Sequence, residues 1–311
     1  MKKGFVLIST LSIIAILAVL TLFINSMVIS SALTISNFNE SVEQRIKIIN
    51  YEKFILNTLQ NNSNQLRNLE VAENQLNALI KEKTPSLSIK LHDLNTCLNL
   101  NSVVKPFRSL YIKNDENLIY FESLLNTLNI DKTVSKQFID RLIDYIDSDQ
   151  LPEPFGVEDL FYIADENLNL TADTLIVHKT QIQDLNILNE NEYKSISPLV
   201  CALPTVENKF NINSLALENF FTFSAMFPDV TLDEMQQLII NKPEYGYINY
   251  KSLIDINNFI ADKVSADKLI YKPEFLEIHF KINIGSDDYY FISVADLKNK
   301  INKTSIRTNS T

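Results

Sequence analysis

Behind a short head, Met1-Lys2-Lys3-Gly4, lies an uncharged apolar run over 5–24. About 20 apolar residues at 1.5 Å each match a bilayer core, whereas a secretory h-region spans roughly 7 to 15 residues and ends in a small-residue cleavage box. The pattern predicts a retained membrane helix. Apolar positions continue at helical spacing through Val28, Leu33, Ile35, Val42, Ile46, Ile49, Phe54 and Leu59, with no proline before Pro85. A second helix is predicted over 66–80, with Leu69, Leu76, Leu79 and Ile80 on one side and Lys83-Thr84-Pro85 as its stop. The period then falls to two over 87–91 and again over 97–102, which reads as two short strands. Short amphipathic helices fill 103 to about 270. Alternation returns over 275–284 and 289–294, on either side of Gly285, and predicts a hairpin. The polar tail 299–311 is expected to be disordered.

Lys2 and Lys3 precede the span, and the next Lys or Arg is Arg45, so the positive-inside rule places the bulk of the chain outside the cytoplasm. The net charge is −10, or −12 once Lys2 and Lys3 leave with a leader. Such a surface repels phosphate and argues against nucleic-acid binding. Cys97 and Cys201 lie in a compartment that permits a disulfide, which would add roughly 4 to 5 kcal/mol for a loop of that length. Two separately buried thiols fit the sequence equally well. Gly156, Gly246 and Gly285 read as turns and Gly4 as a leader residue, which leaves no glycine for a phosphate-cradling loop, a nucleophile elbow or a dinucleotide fingerprint. His92, His178 and His279 are isolated in sequence and show no zinc-ligand spacing. No catalysis is expected.

Asp140, Asp144 and Asp147 fall at i, i+4 and i+7 on one helical face, and Asp149, Glu153, Glu158 and Asp159 follow across a Pro-Gly loop, with Arg141 as the nearby base. Like charges at that spacing repel, a cost that a divalent cation removes. Calcium takes six to eight oxygens in flexible geometry, which suits this cluster. The candidate ligands are Asp149, Glu158 and Asp159, followed by Asp147 and Asp144. A solvated helix face with an exposed loop is the alternative. The chain also repeats itself: Leu98-Asn99-Leu100-Asn101-Ser102 recurs as Phe210-Asn211-Ile212-Asn213-Ser214. Each copy precedes a pair of helical stretches, 121–128 with 138–146 and 220–227 with 235–240, so two similar helical modules are expected.

Several stretches now fall into one order: Gly4 before Phe5, His92-Asp93-Leu94 leading into Leu98-Asn99-Leu100-Asn101, Asp144-Tyr145-Ile146-Asp147-Ser148-Asp149, Gly156-Val157-Glu158-Asp159-Leu160-Phe161-Tyr162, and Leu203-Pro204 before Asn211-Ile212-Asn213-Ser214. In that order the chain resembles the K-type minor pseudopilins of type II secretion systems. The resemblance implies an α+β, pilin-like fold: a long N-terminal helix packed on a small antiparallel sheet, with a large all-helical domain of the SAM-like, helix-hairpin kind inserted. It divides the chain into a prepilin leader 1–4, a transmembrane and assembly helix 5–24, a pilin-like helix and first strands 25–102, helical modules 103–196 and 197–272, closing strands 273–298, and the tail. It further implies processing by a prepilin peptidase between Gly4 and Phe5, N-methylation, calcium in the helical domain, and a single-pass inner-membrane precursor with a periplasmic body. Its implied role is to initiate and cap a periplasmic pseudopilus tip during export of folded proteins. The implied partners are the I- and J-type minor pseudopilins, the peptidase, secretin and secreted substrates. Two departures stand out, Tyr145 where the family commonly has Trp and Val157 where it has a small residue. Most pilin-like subunits carry a glutamate at the fifth mature position, here Ser9, and the K-type subunits resemble this chain in lacking it. A type IV pilus minor pilin, or a signal-anchored periplasmic enzyme or binding domain, is the alternative.

Overall fold

The computed structural model describes residues 2–61, 64–164, 170–284, 287–298 and 303–310. It divides into two compact units, Met1–Ile55 and Leu56–Thr311. Helix α1, Lys2–Asn61, starts in the first. Within it Thr10–Ser36 has a mean hydropathy of 2.5 and is long and apolar enough to cross a membrane, so the apolar stretch reaches beyond the expected 24. Its hydroxyls turn back on the helix, Thr21 donating to the Leu17 carbonyl at 2.5 Å, Ser26 to Phe23 at 2.8 Å and Thr34 to Ser30 at 2.9 Å. In hydrocarbon that hides groups that would otherwise lack partners.

The second unit holds a four-stranded antiparallel sheet in the order β1-β8-β9-β10, with β1 Leu87–Asp93, β8 Phe275–Ile284, β9 Asp287–Asp296 and β10 Lys303–Ser310. Leu87, Ile89 and Leu91 point inward beside Ile278, Phe280 and Ile282, while His92 faces Glu277 across the β1–β8 ladder on the other side. Helix α2, Leu69–Lys83, closes the outer edge of β1. Asn77 donates to the Ile89 carbonyl and accepts from the Ile89 N–H, both at 2.9 Å, and Glu73 accepts from the Leu91 N–H at 2.7 Å. These side chains take the backbone groups that would otherwise invite another strand. Ala72, Leu76 and Ile80 form the buried stripe of α2, whereas Leu79 is exposed. The hairpin β8–β9 forms as expected, though its turn residues Gly285 and Ser286 lie outside the described residues. In the tail, where composition predicts disorder, residues 303–310 pair with β9, because a backbone ladder needs no apolar side chains.

Residues 94–274 form one insertion between β1 and β8. Its elements are β2 Leu98–Asn99, β3 Val104–Phe107, β4 Leu110–Lys113, α3 Asp115–Thr127, α4 Lys132–Ile146, α5 Asp159–Ala164, α6 Glu190–Ile196, β5 Val200–Cys201, β6 Phe210–Asn211, α7 Phe220–Met226, α8 Leu232–Ile240, α9 Tyr250–Ile256 and β7 Leu269–Ile270. Strands pair as β2 with β5 and β6 with β7, both parallel, and β3 with β4. Leu98, Leu100, Phe121, Phe138 and Leu142 pack in the same buried cluster as Phe210, Phe223, Met235 and Leu253, so the two expected modules share a single core.

The repeat is a structural device. In each copy the first Asn closes an Asx turn, Asn99 Oδ1 accepting from the Asn101 N–H and Asn211 Oδ1 from the Asn213 N–H at 3.2 Å. The second Asn reaches across the fold. Asn101 donates to the Ile176 and Leu203 carbonyls at 2.8 Å and accepts from the Ile176 N–H at 2.7 Å. Asn213 donates to the Tyr247 and Tyr271 carbonyls at 2.9 and 2.8 Å and accepts from the Tyr247 N–H at 2.7 Å. A further copy, Asp93-Leu94-Asn95-Thr96, does the same at the sheet: Asp93 accepts from the Asn95 N–H at 2.8 Å, and Asn95 accepts from the Glu274 and Phe275 N–H groups at 2.8 and 3.0 Å. For this reason the strand predicted over 97–102 is confined to Leu98–Asn99, followed by a 3-10 turn over Leu100–Val103. Beside it Cys97 and Cys201 are bonded, with Cα atoms 5.8 Å apart and a sequence separation of 104.

Candidate functional site

Helix α4 starts at Asp131, whose carboxylate accepts from the Thr133 and Val134 N–H groups at 2.7 and 3.3 Å, and delivers three acids at its C-terminal half. Asp147 is its C-cap, at the end where the helix dipole is negative and a carboxylate is least welcome. The chain then folds back over 148–158. Gly156 permits this return: a Cβ there would lie 1.8 Å from Asp144 Oδ2 and 2.6 Å from its Cγ. Only a residue without a side chain lets the backbone pass so close.

The fold then separates the acids by what each one meets. Asp140 accepts from the Phe155 N–H at 3.0 Å, Asp144 from the Glu153 N–H at 3.0 Å, and Glu153 pairs with Lys113 at 2.7 Å. Asp159 is held by Thr171, through its N–H at 2.9 Å and its hydroxyl at 2.7 Å. Arg141 donates to the Leu185 carbonyl at 2.9 Å and lies over the Phe161 ring. Three acids remain for one another. Ligand oxygens of Asp147, Asp149 and Glu158 all lie within 4.8 Å. Asp149 is exposed and spends one oxygen on the Leu151 N–H at 2.9 Å, whereas Asp147 and Glu158 are 4% and 6% exposed. Asp147 Oδ1 and both carboxylate oxygens of Glu158 have no hydrogen-bond partner among the described residues.

Buried carboxylates without partners are expensive while charged. Burial, reinforced by the neighbouring carboxylates, pushes the Asp147 carboxyl up to about 7 and that of Glu158 up to about 8. Asp144 rises to about 6 for the same first reason, against the pull of the Glu153 N–H. Asp173, which the sequence does not single out, adds to the repulsion on both Asp147 and Glu158. It sits at φ 48°, a left-handed conformation that Asp tolerates, and accepts from the Thr171 hydroxyl at 3.1 Å. Orphaned oxygens, mutual repulsion and a helix C-terminus together make a pocket that could coordinate a cation. Of the five predicted ligands, the structure gathers Asp147, Asp149 and Glu158, and turns Asp144 and Asp159 toward backbone and Thr171.

The other predicted site residues fall elsewhere. Gly4 and Phe5 lie in α1, but their side chains lie outside the described residues. The histidines are not isolated in space: the His92 and His279 rings stand 4.6 Å apart, and His92 and His178 line one groove.

A long apolar N-terminal helix, a small antiparallel sheet and a helical insertion between its strands define a pilin-like fold with an inserted helical domain. Residues 96–205 match the family described as type II secretion system (T2SS), protein K. The chain is 28% identical over 160 residues to the putative type II secretion system protein K of Escherichia coli K12, covering 51% of this chain and 49% of that one. It is 28% identical over 176 residues to type II secretion system protein K of Aeromonas hydrophila, covering 54% and 53%. With that of Pectobacterium carotovorum it shares 24% over 213 residues, covering 67% and 65%. The matches to the first two therefore span about half the length of those relatives. A chain of the GspK-GspI-GspJ complex from enterotoxigenic Escherichia coli superposes with a TM-score of 0.60 at 17% identity, covering 72% of this chain and 80% of that one. Over residues 96–205 the chain is thus similar to the type II secretion system protein K family.

Proposed function

We propose that this protein is a minor pseudopilin that initiates and caps the periplasmic pseudopilus tip of a type II secretion system, a role in assembly and transport with no catalytic step. The observation that carries the reading is the coincidence, in one chain, of the protein K match over 96–205 with an apolar helix long enough to span a bilayer. The precursor stands in the inner membrane with Lys2 and Lys3 in the cytoplasm and the second unit in the periplasm. A prepilin peptidase cuts between Gly4 and Phe5, and the freed helix packs against those of I- and J-type minor pseudopilins. Ser9, in place of a membrane-buried acid, suits a subunit with none above it to neutralise. Secretin and secreted proteins would meet the tip. The test is the mass of the N-terminal peptide from cells with and without their prepilin peptidase. A peptide starting at N-methylated Phe5 only when the peptidase is present supports the reading, and a chain retaining Met1 in both overturns it.

In the same reading the cation is calcium, held by Asp147, Asp149 and Glu158 with carbonyls and water completing the shell, at an affinity of roughly 0.1 to 1 mM. A pH dependence follows. Asp147 and Glu158 titrate higher in the folded chain than unfolded, so without metal the folded state holds extra protons. Their contribution to stability is then full below about pH 4 and lost as the pH rises through about 7 to 8. Calcium replaces the protons. At a hundred times the dissociation constant it adds about 2.7 kcal/mol. Thermal melts of the full chain in detergent should therefore lose midpoint with rising pH in chelator and regain it, most at the alkaline end, in calcium. Equal slopes with and without calcium would count against the ligand set.

A further inference from the structure

The groove beside the disulfide is a second concentration of chemistry, unrelated to the acidic site. It encloses about 260 Å³ and is lined by His92, Glu277, His178, Lys179 and both cysteines among others. The chain contains three histidines, and the fold brings one from β1, one from β8 and one from the insertion to this neighbourhood. His92 and Glu277 are direct cross-strand partners, and His279 lies one diagonal step along β8. At such spacing side chains of neighbouring strands touch. The two imidazoles stand 4.6 Å apart and tilted by 53°. His279 Nε2 is hydrogen-bonded to Glu277, which orients the ring and leaves Nδ1 for another partner. The His92 ring makes no hydrogen bond to a described residue.

We propose that His92 and His279 chelate a divalent transition-metal ion of the zinc class, with the Glu277 carboxylate orienting His279 and water filling the open positions. Imidazole suits zinc, copper and nickel, and a carboxylate behind a ligating histidine fixes its tautomer and raises its basicity. Burial, the neighbouring His279 and Lys90 hold the His92 ring below its ordinary value. The charges facing the pair balance: Glu73 and Glu277 act on His92 against Lys90, and Lys179 acts on Glu277. The position gives the site a purpose. The insertion leaves the sheet just after His92 and returns just before Glu277, so an ion held by β1 and β8 ties the two ends of the insertion together at its neck.

The experiment uses the full chain in detergent and zinc itself, with diethyl pyrocarbonate as a probe of free imidazole. Saturable, equimolar zinc uptake that millimolar calcium does not displace, together with zinc-dependent protection of His92 and His279 from carbethoxylation, is the expected result. His279→Gln should weaken zinc about tenfold or more. The proposal is overturned if zinc does not saturate, or if it binds while both histidines stay fully reactive, which would assign it to Asp147, Asp149 and Glu158. The protection measurement is made on the unaltered chain, so it stands whether or not a histidine variant folds.

Discussion

Replacing Cys97 and Cys201 together with alanine should lower the stability of the second unit by about 4 to 5 kcal/mol, the value for opening a loop of about 100 residues in the chain-entropy model. The closed loop runs 104 residues and holds α3 to α6 together with the whole acidic site. Without the bond the unfolded chain gains the conformations that the loop had forbidden, while the native contacts barely change. Around the bridge these are apolar: Cys201 packs with Leu203 and Phe275, and Leu94 and Cys97 lie against them. Alanine therefore suits the test better than serine, which would bury a hydroxyl at a position 5% exposed. Denaturant unfolding of the full chain should show a lower midpoint and a larger dependence on denaturant, because an unlinked chain exposes more surface. A midpoint unchanged by the double replacement would mean that residual structure already confines the unfolded chain without the bridge.

Much of this architecture is legible in the sequence where the signal is long and regular. Helix α1 and the β8–β9 hairpin follow from sustained apolar periods of 3.6 and 2, and the repeat around Asn101 and Asn213 is visible as a string of letters. Its meaning is not, because the alternation of Leu98 and Leu100 with Asn99 and Asn101 looks like a strand until the Asn side chains are seen to bond backbone groups. The copy at Asp93 escapes notice for a simpler reason: its first residue is an acid rather than an amide, and it overlaps the end of β1. At the acidic site, composition points to the cluster but cannot choose among its members. That choice depends on where the 148–158 segment returns, which Gly156 decides, and on Thr171 capturing Asp159. Asp173 and the pairing of His92 with His279 lie beyond any spacing rule, since they arise from segments far apart in sequence.

Asn101→Ala should be the most destabilising single replacement among the asparagines, by about 3 kcal/mol or more. The side chain is fully buried and satisfies three backbone groups, the Ile176 N–H and carbonyl and the Leu203 carbonyl. Alanine removes the partner and leaves all three without water, and each stranded buried group costs about 1 to 3 kcal/mol. Asn101→Asp, nearly the same shape, would be no milder, since a carboxylate keeps the bond to the Ile176 N–H but faces two carbonyl oxygens with no hydrogen to offer. Asn213→Ala should behave alike through Tyr247 and Tyr271. An exposed control such as Asn258→Ala should fall within about 0.5 kcal/mol of the parent. Because Leu203 lies two residues from Cys201, loss of the Asn101 contact and loss of the disulfide loosen the same segment. Their effects in a double-mutant cycle should differ from the sum by about 0.5 kcal/mol or more, as expected for neighbours that share a partner. Strict additivity would show that the asparagine holds the 176 loop alone, and that the bond between Cys97 and Cys201 fixes the segment at 203 without it.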